Sequence, residues 1–180
     1  ARLLNLPVTS NALPMDTDQT ALLAVRRVDY RDAHDSRALV ALLDGYAQDP
    51  MGGGQALSAD VHQRLCDDLA RLPHAASFIA WLGDEPVGLI NTFEAYSTFK
   101  ARPLVNVHDV AVAPGHRGRG VGQALLAAAE AHARERGACK LTLEVLTGNQ
   151  RALRSYEQFA FAPYRLDPRE GQAQLMQKWL

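Results

Sequence analysis

A short run of glycine and arginine residues, 115–122, is the part of this chain whose residue types point most directly to chemistry. It follows an apolar stretch that predicts a buried strand, and it precedes an Ala- and Leu-rich stretch that predicts a helix. The start of a helix presents unpaired backbone N–H groups and the positive end of the helix dipole. Glycine has no Cβ, so a phosphate group can approach the backbone closely. The run therefore predicts an anion site suited to a pyrophosphate.

Two common classes of phosphate loop do not match these residues. A P-loop has Lys followed by Ser or Thr after its second glycine, whereas Gly120 is followed by Val121 and Gly122. The dinucleotide fingerprint, begun at Gly118, needs Gly or Ala at the position held by Gln123. The turn therefore belongs to neither class.

Arg117, Gly120 and Gly122 match a different signature, Arg/Gln-x-x-Gly-x-Gly/Ala. On these residues the turn resembles the phosphate loop of the GNAT superfamily of acetyl-coenzyme A dependent N-acetyltransferases. A second segment, 149–161, is similar to that superfamily's Asn-x-x-Ala-x-x-x-Tyr-x-x-x-Gly-Phe pattern, in the expected order and at the expected distance. One position differs, because Ala160 stands where the family usually has glycine.

The resemblance implies that acetyl-coenzyme A is the cofactor and that coenzyme A is a product. It implies that the strand before the turn offers backbone groups to the pantetheine arm and that the turn holds the phosphates. Asn149 would contact the pantetheine arm, and it also has a structural interpretation as the N-cap of the following helix. The implied cofactor-binding residues are Val110, Val112, Arg117, Gly118, Arg119, Gly120, Val121, Gly122, Gln123, Asn149, Ala152 and Tyr156.

Tyr156 is the candidate general acid. A tyrosine hydroxyl keeps its proton at neutral pH and can donate it to the leaving thiolate of coenzyme A. By resemblance, the hydroxyl lies beside the thioester sulfur. The alternative is a packing role on the last helix, because Tyr156 and Phe159 are three residues apart.

His108 is the candidate general base, since an amine substrate arrives mostly as ammonium and histidine takes up a proton near neutral pH. Strict alternation along its strand predicts two faces, which are Val105, Val107, Asp109 and Ala111 on one side and Asn106, His108, Val110 and Val112 on the other. The alternatives are a core histidine bonded to a carbonyl, Glu94 as the base, and a relay of water molecules.

Composition limits the classes of partner. The 180 residues carry a net charge of −1 and are 47% hydrophobic, which predicts one folded domain and no extended nucleic-acid surface. No apolar run approaches the roughly 20 residues of a membrane span, and the chain does not begin with a secretory pattern. Cys66 and Cys139 lie in no paired motif, so we expect reduced thiols, no bound metal and a cytoplasmic protein.

The apolar pattern predicts helices interleaved with strands. The predicted helices are 32–47, 58–72, 120–136 and 149–159, and the predicted strands are 21–28, 77–82, 86–95, 104–113, 139–146, 161–166 and 173–179. We therefore expect an α/β (α+β) GNAT-like sandwich, with a mixed, mostly antiparallel sheet of about six to seven strands flanked by about four helices. Residues 21–180 would form this single domain and 1–20 a tail or extension, with Met15 as a candidate natural start.

The predicted function is transfer of an acetyl group from acetyl-coenzyme A to a primary amine, directly in a ternary complex, because neither cysteine lies in a nucleophile motif. The acceptor is a small-molecule or protein amine, and homodimer formation is compatible with this function. The alternative is a coenzyme A or acyl-coenzyme A binding module without catalysis, which would need neither Tyr156 nor His108. We expect the acceptor pocket between the loop 51–54 and a wall formed by Phe93, Tyr96, Ser97, Thr98 and Phe99.

Overall fold

The computed structural model describes residues 22–164, 167, 169 and 174–180. The predicted tail 1–20, with the candidate start at Met15, lies outside the described residues. In chain order the elements are β1 (Leu23–Arg27), α1 (Ala33–Gln48), α2 (Ala59–Ala70), β2 (Ala75–Leu82), β3 (Glu85–Ser97), β4 (Arg102–Val112), a short 3-10 turn (Pro114–His116), α3 (Val121–Glu135), β5 (Leu141–Leu143) and α4 (Gln150–Gln158).

The strands form a mixed sheet in the order β1-β2-β3-β4-β5. The first three pairs of neighbours are antiparallel, and β5 runs parallel to β4. The turn between β2 and β3 contains Gly83 at φ 59°, a left-handed conformation that glycine adopts without steric cost. The predicted fold class is therefore confirmed, and β2 and β3 form a hairpin.

The sheet has five strands among the described residues, fewer than the six to seven predicted. The prediction of C-terminal strands at 161–166 and 173–179 is wrong for the residues described there, since 161–164 and 174–180 are not in strands. A segment becomes a strand only where a partner edge supplies ladder hydrogen bonds. The neighbouring strand β5 has three residues, so it offers only a short edge.

Apolar side chains pack into two clusters, one on each face of the sheet. The helix α3 covers one face, where the buried residues include Val87, Ile90, Leu125, Leu126 and Ala129. The helices α1 and α2 cover the other face, where the buried residues include Leu39, Leu69, Ile79, Trp81 and Leu89. Because both faces are covered, the middle strands are buried along continuous runs rather than at alternate positions.

A β-bulge interrupts β4 at His108. Asn91 of β3 pairs with Asp109, and the next residue, Thr92, pairs with Val107. His108 is therefore an extra residue on its strand, without a partner in β3.

The bulge changes the face to which His108 belongs. Val107, Val110 and Val112 all pack in the cluster beside α3. The His108 ring instead meets the edge of Phe93, with ring centroids 5.4 Å apart, and Phe93 packs against the cluster beside α1 and α2. The predicted common face of His108 with Val110 and Val112 is wrong, because an inserted residue moves every later side chain to the opposite face.

Two helices begin at side-chain caps, and the cap at Asn149 is one that the sequence predicts. Ser58 Oγ accepts a hydrogen bond from the Val61 N–H at 3.3 Å, at the start of α2. Asn149 Oδ1 accepts one from the Ala152 N–H at 3.1 Å, at the start of α4. Among the described helices, none is both long enough and apolar enough to cross a membrane.

Candidate active site

A cavity of about 780 Å³ opens between the end of α1, the end of β4, the glycine turn and α4. It brings together most of the predicted cofactor-binding residues, namely Val110, Val112, Arg117, Gly118, Gly120, Gly122, Gln123, Asn149, Ala152 and Tyr156. The other two do not line the cavity, since Val121 is buried in the core and Arg119 is exposed. The two motif segments therefore meet at this cavity.

The glycine turn has a backbone conformation that glycine adopts more readily than other residues. Gly118 and Gly120 have φ values of +81° and +82°, in the left-handed region. A Cβ on Gly120 would meet no atom within 4 Å, so the space before the turn is open to a ligand. Gly120 is the N-cap of α3 and has no side chain to occupy the first N–H groups of the helix. An anion fits at this helix start.

The Arg117 guanidinium ties β4 to the loop after α1. Its Nε donates to Val112 O at 3.0 Å, and its Nη2 donates to Asp49 Oδ2 at 2.9 Å. The pKa of the Asp49 carboxyl is lowered, first by the hydrogen bond from the Met51 N–H and next by Arg117. Sequence reasoning missed Asp49, because it lies 68 positions from Arg117 and in no recognisable motif.

Two arginines on α4, Arg151 and Arg154, also line the cavity. Arg151 Nη2 is 4.0 Å from the position of a Cβ on Gly118, beside the glycine turn. A guanidinium group forms paired hydrogen bonds with phosphate, so this position suits a phosphate group. Sequence reasoning missed both residues, although helical spacing gives a signal: Arg151 precedes Ser155, which also lines the cavity, by four residues.

Gln123 connects α3 to α4. Its Nε2 donates to the carbonyl oxygen and to the hydroxyl oxygen of Ser155, each at 2.9 Å. Gly122 lies beside this contact, since a Cβ there would be 3.9 Å from Ser155 Oγ, an ordinary van der Waals distance. The amide group of Gln123 therefore positions α4 beside the turn.

The strands β4 and β5 separate along their length. They pair only at residues 105–107 of β4. From 108 to 112, this edge of β4 has no strand partner in the part of the chain that the structure describes. Val110 and Val112 of this segment line the cavity. The Val112 carbonyl accepts from Arg117, and the other backbone groups on this edge have no strand partner, so they fit an extended ligand that carries amide groups.

Tyr156 lines the cavity from α4 and is half-buried. Its ring packs edge-on against Phe161, with centroids 5.9 Å apart. Burial raises the pKa of the phenol above its ordinary value of 10.0, and the nearby Tyr46 raises it further. The hydroxyl is therefore protonated throughout the neutral pH range, and this geometry allows both packing and proton donation.

The two candidate bases, His108 and Glu94, do not line the cavity. His108 is exposed at the bulge. Glu94 is ion-paired, because Arg136 Nε donates to its Oε2 at 2.6 Å, and this hydrogen bond is the main cause of the lowered pKa of Glu94. A carboxylate with a lowered pKa is a weak proton acceptor, so the geometry disfavours Glu94 as the base.

The loop after α1 approaches the end of that helix closely at Gly52. A Cβ on Gly52 would lie 2.0 Å from Tyr46 O, so a side chain does not fit there. Met51 of the same loop lines the cavity, and the acceptor-side role of this loop stays a prediction. The expected opposite wall is wrong, since the cavity is lined by none of Phe93, Tyr96, Ser97, Thr98 and Phe99. The neighbouring wall is formed instead by α1, through Ala41, Leu42, Gly45 and Tyr46.

The family model for GNAT acetyltransferases matches residues 39–161, from α1 through α4 and beyond it to Phe161. The chain therefore belongs to the acetyltransferase (GNAT) family, as the two motif segments imply. Enzymes of this family use acetyl-coenzyme A.

Two curated relatives are acetyltransferases. Streptothricin acetyltransferase from Streptomyces lavendulae is 44% identical over 73 residues, which are 41% of this chain and 38% of that protein. Mycothiol acetyltransferase from Streptomyces scabiei (strain 87.22) is 31% identical over 136 residues, which are 74% of this chain and 41% of that protein. The chain thus spans about two fifths of the length of the curated relatives it matches.

A solved structure has the same fold. It is the aminoglycoside N-acetyltransferase AAC(6')-Iy in complex with the bisubstrate analog CoA-S-monomethyl-acetylneamine. The TM-score is 0.71 at 17% sequence identity, and the match covers 88% of this chain and 99% of that chain. This likeness supports the fold assignment.

Proposed function

We propose that this protein is an N-acetyltransferase that moves the acetyl group of acetyl-coenzyme A to a primary amine directly, in a ternary complex. One observation carries the proposal: the glycine turn at the start of α3 and the half-buried Tyr156 line the same cavity. The turn suits the phosphates and the phenol suits the sulfur end of one extended molecule.

The residues of the cavity fit acetyl-coenzyme A. The open space before Gly120 and the start of α3 suit the pyrophosphate. The unpaired edge of β4 at Val110 and Val112 suits the amide groups of pantetheine. Arg151 and Arg154 supply positive charge beside the turn. When bound, acetyl-coenzyme A supplies the acetyl group activated as a thioester.

Tyr156 acts as the proton donor in this proposal. As the bond between the acetyl carbon and the sulfur breaks, the phenol gives its proton to the sulfur, and it later regains one from water. The raised pKa of Tyr156 supports this role, because it keeps the phenol protonated at neutral pH.

His108 accepts the proton that the acceptor ammonium must lose before its nitrogen can attack. The ring is exposed and lies outside the cavity, so a water molecule is required to connect it to the acceptor nitrogen. The same exposure lets the proton pass on to solvent.

The two cysteines support direct transfer over an acyl-cysteine intermediate. Burial raises the pKa of the Cys66 thiol, and this thiol donates to Ser36 O at 3.8 Å. Cys139 lies at a second, smaller cavity of about 320 Å³ beside α3. Neither cysteine lines the main cavity.

We propose a small-molecule amine as the acceptor. The two curated relatives are named for streptothricin and mycothiol. These names support a small molecule over a protein amine. Homodimer formation and a cytoplasmic location stay predictions from the sequence.

Coenzyme A release with a panel of amines tests this proposal. The panel holds streptothricin, neamine and a short peptide with a free N-terminus, and both the free thiol and the acetylated product are measured. We expect coenzyme A release together with an acetylated small-molecule amine. Calorimetric binding of acetyl-coenzyme A without release for any amine would instead identify a binding module.

A further inference from the structure

Four polar side chains form a hydrogen-bonded chain that crosses three strands of the sheet. The hydroxyl oxygens of Tyr30 and Ser77 are 2.8 Å apart. Ser77 Oγ donates to Asn91 Oδ1 at 2.6 Å, and Asn91 Nδ2 donates to Asp109 Oδ2 at 2.9 Å. Ser77 on β2 and Asn91 on β3 are only 1% and 4% exposed. The chain leads from the loop before α1 to the carboxylate on β4.

The hydrogen bonds of this chain all point toward Asp109. The single hydroxyl hydrogen of Ser77 is given to Asn91, so the hydroxyl of Tyr30 must be the donor to Ser77. Hydrogen bonds in series polarise one another, and a buried polar group costs free energy unless it is bonded. Neutral donors that end on a carboxylate stabilise its negative charge and fix its orientation.

Asp109 has no cationic partner in the described part of the chain, where it takes part in none of the ion pairs. Its side chain is half-buried, and one of its two oxygens is held by Asn91. A cationic ligand that binds beside this carboxylate would gain Coulomb energy from it.

Asp109 directly precedes two residues of β4 that line the main cavity. Burial raises the pKa of Tyr46, and the negative charge of Asp109 raises it further. Tyr46 and Tyr156 both line the cavity, as do Val110 and Ala111, which follow Asp109 in β4. Asp109 is therefore next in sequence to the part of the cavity wall that β4 forms, although its own side chain does not line the cavity.

We propose that Asp109 binds the ammonium group of the acceptor, and that Asn91, Ser77 and Tyr30 are positioning residues that hold the carboxylate for this contact. This inference rests on the proposed function and deepens it, since it makes the acceptor a cation recognised by a prearranged carboxylate. The binding step involves no bond breaking, so it can be measured apart from acetyl transfer.

Calorimetry of amine binding to the protein saturated with coenzyme A tests the inference without any turnover. The probes are streptothricin and 1,3-diaminopropane. We expect Asp109→Asn to weaken binding of at least one probe by about tenfold or more, because the charge is removed while the side-chain size is kept. We expect Ser77→Ala to weaken binding of the same probe by roughly threefold to tenfold, through a less well-held carboxylate.

A double-mutant cycle separates positioning from general damage to the fold. If Ser77 acts through Asp109, Ser77→Ala has no further effect on amine affinity once Asp109→Asn is present. Tyr30→Phe removes the hydroxyl donor at the end of the hydrogen-bonded series farthest from Asp109. Because Tyr30 is only half-buried, this variant repeats the double-mutant cycle at a less buried position. The matched control is Thr92→Val. This change removes a buried hydrogen bond of 2.7 Å from Thr92 Oγ1 to Ala76 O, which is not part of the Tyr30–Ser77–Asn91–Asp109 series. It should lower stability without changing amine affinity.

Three results would overturn the inference. The first is an unchanged dissociation constant for both probes in Asp109→Asn, and the second is the lack of binding of either probe to the wild-type complex. The third is a decrease in amine affinity on Ser77→Ala, or on Tyr30→Phe, that is equally large whether or not Asp109→Asn is also present. Amine binding that depends on Asp109 without acetyl transfer would leave this inference standing and contradict the proposed function.

Discussion

Arg117 Nη2 lies 2.9 Å from Asp49 Oδ2, so the arginine of the glycine-turn signature is ion-paired with the loop that follows α1. The same guanidinium also donates to Val112 O at the end of β4. Its charge is therefore partly compensated before any phosphate binds. The pair connects the two sides of the cavity, the turn on one and the loop with Met51 on the other.

Asp49→Asn should strengthen acetyl-coenzyme A binding by roughly two- to fivefold at low salt, because Arg117 then contributes its full positive charge beside the turn. Asparagine keeps an oxygen that can accept from the Met51 N–H, so the loop conformation is retained. Calorimetry at low and high ionic strength measures the change, which should shrink as salt rises. Weaker binding in the variant would mean that the Asp49–Arg117 ion pair contributes more to acetyl-coenzyme A affinity, by holding the loop in place, than the released charge of Arg117 does.

Gly120→Glu should reduce acetyl-coenzyme A affinity by roughly 10²-fold or more, because its side chain enters the space before the turn and its charge opposes the phosphates. The left-handed φ of Gly120 also adds a backbone cost of about 1–2 kcal/mol to the folded state. Calorimetry reports the affinity, and thermal unfolding shows that the variant is folded.

Gly137→Glu is the matched control for that experiment. Gly137 has φ +68°, lies after the opposite end of α3 and would place its Cβ in open space. It should show a similar loss of stability with unchanged acetyl-coenzyme A affinity. An equal loss of affinity in both variants would remove the turn from the binding site.

Tyr156→Phe should lower turnover by roughly 10²–10⁴-fold with little change in cofactor affinity, because the ring remains while the proton donor is lost. Tyr96→Phe, at an exposed position, is the control and should behave as wild type. Wild-type turnover in the Tyr156 variant would leave packing as the role of this ring.

The raised pKa of Tyr156 gives a pH dependence with a definite sign. The phenol loses its proton only above the ordinary value of 10.0, so wild-type turnover should fall at a pH above that value. The unfolded state ionises first as the pH rises past 10.0, so the contribution of Tyr156 to stability is also lost in that alkaline range. In Tyr156→Phe the alkaline fall in turnover should be absent from rate profiles. The alkaline loss of stability in thermal melts should be smaller than in wild type but not absent, because the pKa values of Tyr30 and Tyr46 are also raised.

His108→Gln should slow acetylation by roughly 10²-fold after the rate is corrected for the free-base fraction of the amine at each pH. Glutamine keeps polarity and similar size but accepts no proton at these pH values, so acetyl-coenzyme A should still bind. Glu94→Gln is the comparison and should retain activity, since Glu94 is engaged with Arg136. If His108→Gln keeps the wild-type rate and pH profile, ordered water replaces His108 as the proton acceptor.

Ala160→Gly should stabilise the fold by about 0.5–1 kcal/mol, because Ala160 follows α4 with φ +65°, a conformation that favours glycine. This is the position where the family usually has glycine. Ala131→Gly, in the exposed middle of α3, should instead destabilise by about 0.5–1 kcal/mol. Denaturant unfolding measures both changes, and a loss of stability in the first would show that the turn tolerates alanine without strain.

The sequence alone determined the features that depend on neighbouring residues. The glycine turn is one such feature. Glycine at positions 118 and 120, directly before α3, indicates φ values above zero and an open helix start. The caps at Ser58 and Asn149 are others, since a cap and the N–H group it binds are three residues apart. The order of strands and helices followed from the periods of apolar residues, which report locally which face is buried.

The tertiary structure decided the features that join distant residues. The bulge at His108 arises from the register between β3 and β4, and no local pattern marks an extra residue in one strand. Asp49 meets Arg117 only because the loop after α1 packs beside the glycine turn. Among the described residues the sheet ends at β5, because a strand needs a partner edge as well as a suitable sequence. Hydrogen bonding and charge pairing act over a few ångströms in space, so separation along the chain hides them from the sequence.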